Sequence, residues 1–459
     1  MPHLLYLAIG FPPAAKSCSY RMRATANLFR SLGWDVTVLT LPVQAWELEF
    51  GVDWTLMDDV DPGIRVVEMP LMRADLDPQV RNYSWLRARY PDRWRTWRHR
   101  LDMVRFPERV FGSWRDTIVR SALAVHSERP ADLALITPAP YTALAAARPL
   151  HRRGVPFVVD YRDAWSLDVI KGIEAFGRKS RRGRIEQKLM SDATRVWCVN
   201  EPIADFYRQR YPATADRIRV VRNGFDASDH LSHPPRPREH GEPLHFGYLG
   251  TINFPVTQTT AMLAGWRAAR EWEPLLDGAR FTIRGHIGAG AAKGATSHAL
   301  RIARHHPDDV SYGGPVVKAE VHDVYAGWDA LVLCLVGGRY VTSGKVYEYM
   351  ATGLPIVSIH EPDHAATDLL RDYPLHVATR SLSESDITDA FVRAARLAAT
   401  ATPEQRLAAR AVAARYERVA QLRSGVLELH GLFSGGAPDR AREETGELVL
   451  PAADGGPAS

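Results

Sequence analysis

Cysteine is scarce. The 459-residue chain holds three, Cys18, Cys198 and Cys334, with no CxxC spacing. An odd number of widely separated thiols suggests neither a disulfide framework nor a cysteine zinc site, and it fits a reducing, cytoplasmic setting. Long apolar runs are missing too: nothing approaches the roughly 20 residues of a membrane-spanning helix. Met1-Pro2-His3-Leu4-Leu5 has no basic stretch ahead of its apolar residues, so a signal peptide is not expected. Charge is nearly balanced, 58 Lys plus Arg against 53 Asp plus Glu, for a net +5. That excess suits a small polyanion such as a nucleotide diphosphate, or contact with an acidic surface, and nucleic acid is not an expected partner. No GxSxG occurs, and no Ser–His–Asp arrangement can be read.

What is present is an alternation of short apolar runs with helical stretches. Leu4 to Ile9 reads as a buried strand and Gly10-Phe11-Pro12-Pro13 breaks it. A helix from Tyr20 to Leu32 closes at Gly33, and Asp35 to Thr40 is a second strand. Strand, glycine-bearing loop, helix, strand is a βαβ unit, which implies a parallel sheet. Further strands are expected at Leu133–Ile136, Phe157–Asp160, Thr194–Val199 and Ile218–Val221, with a helix over Tyr141–Arg152. Residues 42–130 break the rhythm and read as an insertion with its own helices.

Ser232-His233-Pro234-Pro235-Arg236-Pro237 cannot be a helix or a central strand, because prolines remove backbone donors. It marks a linker, 227–243, between an N-terminal domain, 1–226, and a second doubly wound domain, 244–400. Strands are expected there at Leu244–Leu249, Arg280–Arg284, Asp309–Tyr312, Asp329–Leu335 and Leu354–Ile359. Residues 401–434 are helical, and the Gly-, Ala- and Pro-rich tail 435–459 is expected to be disordered. The fold class is therefore α/β, with two Rossmann-like domains facing a central cleft, where ligands of open α/β sheets bind.

One helix start is chemically suggestive. Thr342 and Ser343 are good cap residues, Gly344 allows close backbone approach, and Lys345 adds a full charge where free amides already favour an anion. Glu348 lies one turn on, suited to accept from vicinal sugar hydroxyls. An ordinary capped helix with a solvated lysine and glutamate has the same spacing.

Ser343-Gly344-Lys345-Val346-Tyr347-Glu348-Tyr349-Met350-Ala351-Thr352-Gly353-Leu354-Pro355-Ile356-Val357 resembles the donor-binding signature of the large "group 1" family of retaining, nucleotide-sugar glycosyltransferases with the GT-B fold. Phe11-Pro12-Pro13 with Arg21, Thr137-Pro138-Ala139-Pro140 and Asp160-Tyr161-Arg162-Asp163-Ala164-Trp165 resemble its N-terminal loops. Val221-Arg222-Asn223-Gly224-Phe225-Asp226 and Tyr248-Leu249-Gly250-Thr251 resemble its linker entry and the opening of its nucleotide-binding domain. Each is weak alone; the order and spacing make the match. The resemblance implies that Glu348 holds the ribose of a UDP-, GDP- or dTDP-linked sugar, that the 342–345 loop and the Gly250–Thr251 loop face the diphosphate, and that the C-terminal helices cross back to the first domain. It implies transfer to an acceptor hydroxyl with retention, no protein nucleophile and no required cofactor. The chain departs from the family in two places. Tyr340 stands where a first glutamate is usual, and 251–260 holds no lysine or arginine. Lys345 and Arg284 are the substitutes expected at the diphosphate.

Other candidates sit at strand ends. Asp163 would orient a hydroxyl and Arg162 would bind an acid or phosphate, or the two would only structure their loop. Lys16 and Ser17 would reach the cleft from a second loop, unless that loop merely covers the sheet edge. His286 follows a strand at the same edge. His360-Glu361-Pro362-Asp363-His364 has the letters of a zinc motif, but a central proline denies it the regular helix that motif needs. His230-Leu231-Ser232-His233 lies in the linker, and Asp59-Val60-Asp61 and Asp75-Leu76-Asp77 lie in the insertion, so no metal is expected. The segment holding Trp85, Trp94, Trp97 and Trp114 among arginines allows three readings: an amphipathic surface resting on an anionic membrane, a stacking site for an acceptor, or tryptophans filling a core. The acceptor itself stays open between a glycan, a lipid-linked intermediate and a small natural product. So do a nucleotide-sugar epimerase, a pseudo-glycosyltransferase and a degenerate nucleotide-sugar-binding protein.

Overall fold

A computed structural model of the chain describes residues 1–49, 51–71, 73–227, 241–252, 254–286 and 309–433. The proline-rich stretch with its His230 and His233 spacing, and the 435–459 tail, lie outside the described residues.

The first domain is a seven-stranded parallel sheet in the order β3-β2-β1-β4-β5-β8-β9. Its strands are β1 (His3–Ala8), β2 (Asp35–Thr40), β3 (Arg65–Glu68), β4 (Leu133–Thr137), β5 (Phe157–Tyr161), β8 (Arg195–Cys198) and β9 (Ile218–Val220). A two-stranded antiparallel ribbon, β6 (Leu167–Asp168) with β7 (Ile173–Glu174), rises from the loop after β5. The second domain has six parallel strands, β12-β11-β10-β13-β14-β15. These are β10 (His245–Leu249), β11 (Arg280–Arg284), β12 (Val310–Tyr312), β13 (Ala330–Cys334), β14 (Ile356–Ile359) and β15 (His376–Ala378). Two parallel α/β domains of this kind make up a GT-B fold.

Both faces of each sheet are covered, as parallel sheets require. In β1 the side chains alternate between two cores. Leu4 and Tyr6 join Phe29 and Trp34 beneath one layer. Leu5 and Leu7 join Ile118, Leu144 and Leu150 beneath the other. In the second domain, Phe246 packs with Trp266 and Phe391 on one face. Leu331 and Leu333 pack with Val346, Tyr349 and Met350 on the other.

Two boundaries differ from the sequence reading. Residues 65–68 belong to the main sheet: β3 pairs in parallel with β2, from Thr37↔Arg65 to Thr40↔Glu68. Its four residues are mostly exposed at the sheet edge, so they carry no apolar alternation. The departure from the βα rhythm is thus confined to the segment between β3 and the helix Arg115–Glu128 that leads into β4. The C-terminal helices also divide. Pro403–Ala414 stays with the second domain, burying Ala409 and Ala413. Arg418–Phe433 packs on the first, burying Leu422, Val426 and Leu429 beside Trp34, whose indole donates to His430 at 2.9 Å.

The chain crosses between domains twice, and the crossings touch. Arg418 N donates to Phe225 O at 2.8 Å and Phe225 N to Tyr416 O at 3.3 Å. Gly224 is required here by contact: a Cβ would sit 2.4 Å from Tyr416 O and 2.8 Å from Arg418 Cα. Asp226 binds Arg23 at 3.0 Å and also Arg418.

Candidate functional site

A cleft of about 440 Å³ lies between the two sheets, within the usual range for small-molecule sites. Its floor on the second domain is made where three strands end. Leu249 and Arg284 are register partners in β10 and β11, so Gly250 and Gly285 leave the sheet side by side. Gly250 (φ 141°) donates to Arg284 O at 3.0 Å, and Gly285 (φ 120°) donates to Gly314 O at 2.7 Å. A Cβ on Gly285 would meet Gly250 O at 2.2 Å, so the loops approach backbone to backbone.

The helix Gly344–Thr352 points its N-terminus into this floor. Ser343 occupies the cap position with extended backbone, but its side chain makes no capping hydrogen bond. Val346 N donates to Ser343 O at 3.3 Å, and the amides of Gly344 and Lys345 ahead of it are left for an anion. Tyr349 ties the helix to the Gly250 loop, its hydroxyl accepting from Leu249 N at 2.8 Å and donating to Leu249 O at 3.1 Å.

Lys345 folds across that loop. Its Nζ donates to the Tyr248 hydroxyl and, at 3.1 Å, to Thr251 O, and it sits 4.6 Å from the Tyr248 ring centroid. A Cβ on Gly250 would collide with its Cε at 2.0 Å. Burial holds the ammonium pKa down at about 8, with Cys334 and Glu348 opposing the shift. Glu348 lines the same cleft one turn further along the helix.

From the first domain, Lys16 and Ser17 enter at the start of the helix Ser17–Ser31, and Arg162 follows β5. Arg162 Nη2 reaches Ser17 Oγ at 3.4 Å, and Lys16 lies 4.9 Å over Trp46. Burial pulls the Lys16 pKa below its ordinary value. Beneath these loops Asp160 accepts two bonds from Arg21, at 2.7 and 2.9 Å, and one from Thr137 at 3.1 Å. This buried pair, with Arg21 Nη1 on Arg222 O at 2.8 Å, anchors the cleft wall to the crossing segment.

The cleft therefore brings together Lys16, Ser17, Arg162, Gly250, Thr251, His286, Thr342, Ser343, Gly344, Lys345 and Glu348. Arg284 and Asp163 are not among its lining residues. Arg284 lies against Gly313 and donates from Nε to Gly314 O at 3.2 Å. Asp163 is exposed, its carbonyl accepting from Tyr141 at 3.3 Å. Lys318, Tyr20 and Arg418 are among the cleft residues that were not read from the sequence. Lys318 follows the Gly313-Gly314-Pro315 loop after β12, a strand-end glycine signal that would have flagged it. Tyr20 carries Lys318 at 4.9 Å and Arg418 at 5.7 Å from its ring.

Tyr340, at the position of the family's first glutamate, turns toward the other domain. It packs against the first core and on Gly172, and Asn200 Nδ2 donates to Tyr340 O at 3.2 Å and to Thr342 Oγ1 at 2.7 Å. Thr342 is thus a joint between domains. His360 and His364 are buried with rings 5.0 Å apart, His364 capping the short helix Ala365–Leu370. Among the described residues no group of three or more His, Cys, Asp or Glu side chains could hold a metal. Asp59, Asp61 and Asp75 face arginines, and Asp77 bonds Gln79 and Asn82.

A two-domain α/β chain with a cationic, glycine-floored cleft has the architecture of a GT-B enzyme. Residues 18–224 match the family described as "Glycosyl transferase 4-like domain". Among solved structures, sucrose-phosphate synthase from Thermosynechococcus elongatus is similar at a TM-score of 0.62 and 15% identity, covering 95% of this chain and 100% of that one. The Anabaena HepE protein, solved with UDP and glucose, has a TM-score of 0.58 and 13% identity, covering 94% and 99%. A putative UDP-N-acetylglucosamine 2-epimerase from Listeria monocytogenes has 0.55 and 10%, covering 95% and 97%. No curated protein sequence matches the chain. Residues 18–224 are thus similar to a glycosyltransferase family, and the whole chain has the GT-B fold. Among the described residues no helix is long and apolar enough to cross a membrane.

Proposed function

We propose that the chain moves a sugar from a nucleotide diphosphate sugar to an acceptor hydroxyl, with retention at the anomeric carbon. One observation carries this: an uncapped helix N-terminus, two glycine loops and cations from both domains converge on one cleft. The diphosphate rests on the amides of the 343–345 turn, with Lys345 and Lys318 on the donor side and Lys16 and Arg162 across from it. Stabilising the charge that grows on the departing diphosphate is the main way such a site lowers the barrier. Glu348 holds the ribose. Ser17 and Arg162 address the acceptor side, and closure about the paired crossings at Phe225 and Arg418 would exclude water.

Calorimetry with UDP, GDP and dTDP tests the reading. One nucleotide is expected to bind, and Glu348→Ala should weaken it by about 1–3 kcal/mol, roughly 5- to 150-fold in Kd. No binding of any of the three overturns the proposal, and wild-type affinity in the variant removes Glu348 from the site. Incubation with labelled donor and no acceptor separates transfer from epimerisation, since an epimerase would yield a new nucleotide sugar.

A further inference from the structure

The helix Pro91–Arg105 is turned inside out. Its buried residue is an aspartate: Asp102 is 0% exposed and accepts from Ser113 N at 3.1 Å. Its outward residues are apolar. Trp97, Leu101 and Val104 follow the spacing of one helix face and are 50%, 37% and 69% exposed. Trp85, 74% exposed, and Tyr90 extend the patch at the preceding turn, their rings 5.9 Å apart edge to face. A helix in a globular domain normally buries its apolar stripe and wets its charges. Of the segment's tryptophans, Trp114 enters the core, whereas Trp85 and Trp97 face out.

The rim of this patch is cationic. Arg93 and Arg100 flank the stripe, and Arg89 and Arg93 lie over Tyr90 at 5.4 and 5.2 Å. Arg89, Arg93 and Arg100 form no ion pair among the described residues. The one acid exposed on the helix, Asp92, is taken by Arg95. At the far end Arg181 donates to the carbonyls of Met103 and Val104. That bond brings in the segment Arg178-Lys179-Ser180-Arg181-Arg182-Gly183-Arg184, which adds four more cations.

We propose that this face docks on an anionic lipid–water interface. Indole and phenol rings favour the headgroup level, and unpaired arginines are drawn to a negative bilayer surface. The charge argues against a second copy of the chain, because a two-fold contact would press one cationic rim against the other. Phe106, the residue after this helix, stacks on Trp165 at 5.5 Å, so the docking face adjoins the loop that follows β5 and lines the acceptor side. The surface does not depend on the donor reading.

The test uses the full chain without nucleotide, in flotation with vesicles of phosphatidylcholine alone or with one-quarter phosphatidylglycerol. Binding is expected to the anionic vesicles only and to fall at least about 10-fold in 1 M salt, where charge interactions are screened. The surface variants Trp97→Glu/Leu101→Glu and Arg93→Glu/Arg100→Glu should each lose at least ~10-fold in partitioning while keeping the wild-type Tm. Their nucleotide affinity should match wild type, which separates this proposal from the donor site. Equal partitioning to both vesicle types, no partitioning at all, or wild-type binding by both variants overturns it. So does a wild-type dimer in light scattering that Trp97→Glu/Leu101→Glu converts to a monomer.

Discussion

Lys345→Met removes a charge that the fold itself opposes. The ammonium is enclosed by Tyr248, Thr251 and the Gly250 backbone, and burial holds its pKa down at about 8 from an ordinary 10.5. At 1.36 kcal/mol per unit, this corresponds to an upper value of about 3 kcal/mol of stability forgone near pH 7. For a base with a depressed folded pKa the penalty is complete below pH 8. It is relieved as pH climbs from the folded value toward the unfolded one. Methionine fills the same volume without the charge, and it leaves Thr251 O and the Tyr248 hydroxyl without their donor, a loss that does not vary with pH over this range. The informative quantity is therefore the difference between variant and wild type at two pH values. Urea unfolding followed by tryptophan fluorescence at pH 7 and pH 9.5 should show the variant gaining about 2 kcal/mol more, relative to wild type, at the lower pH. Donor binding should be weakened in the same protein. A stability difference that is the same at both pH values would refute the enclosed-ammonium account of Lys345.

Two further perturbations test the frame around the cleft. Gly224→Ala places a methyl against the backbone of Tyr416 and Arg418, which cannot swing aside, so a loss of about 1–3 kcal/mol is expected; an unchanged Tm would count against the tight crossing. Asp160→Ala strands the Arg21 charge in the core and should cost about 3–5 kcal/mol by denaturant unfolding, while Arg21→Met/Asp160→Leu should cost much less. A loss below about 1 kcal/mol in the single variant would mean that water reaches Arg21.

Much of the fold was legible because parallel strands buried on both faces are written as short apolar runs. Leu4 to Ile9 and Asp35 to Thr40 are of this kind, each followed by a turn residue or helix signal. β3 was not legible, since Arg65-Val66-Val67-Glu68 lies at an edge where burial imposes no pattern. β15 was missed as well: it is a three-residue edge strand with one buried position. At the candidate site, the helix start at 342–345 and the glycine at 250 could be read from local chemistry. Lys318 and Tyr20 could not be read as a pair, because their meeting depends on how two domains face each other.

By itself the sequence determined the alternation of strands and helices, the restart after the proline-rich stretch, and the lysine and glutamate one turn apart on a helix beginning at Gly344. These follow from neighbours along the chain, through periodicity and capping. Tertiary structure alone decided which cations reach the cleft: Arg284 is drawn onto the Gly314 carbonyl and Lys318 lines the space instead. It also decided that the Trp97 stripe faces outward. A periodic pattern states which residues share a face, but the packing of the rest of the chain decides whether that face meets the core or the solvent.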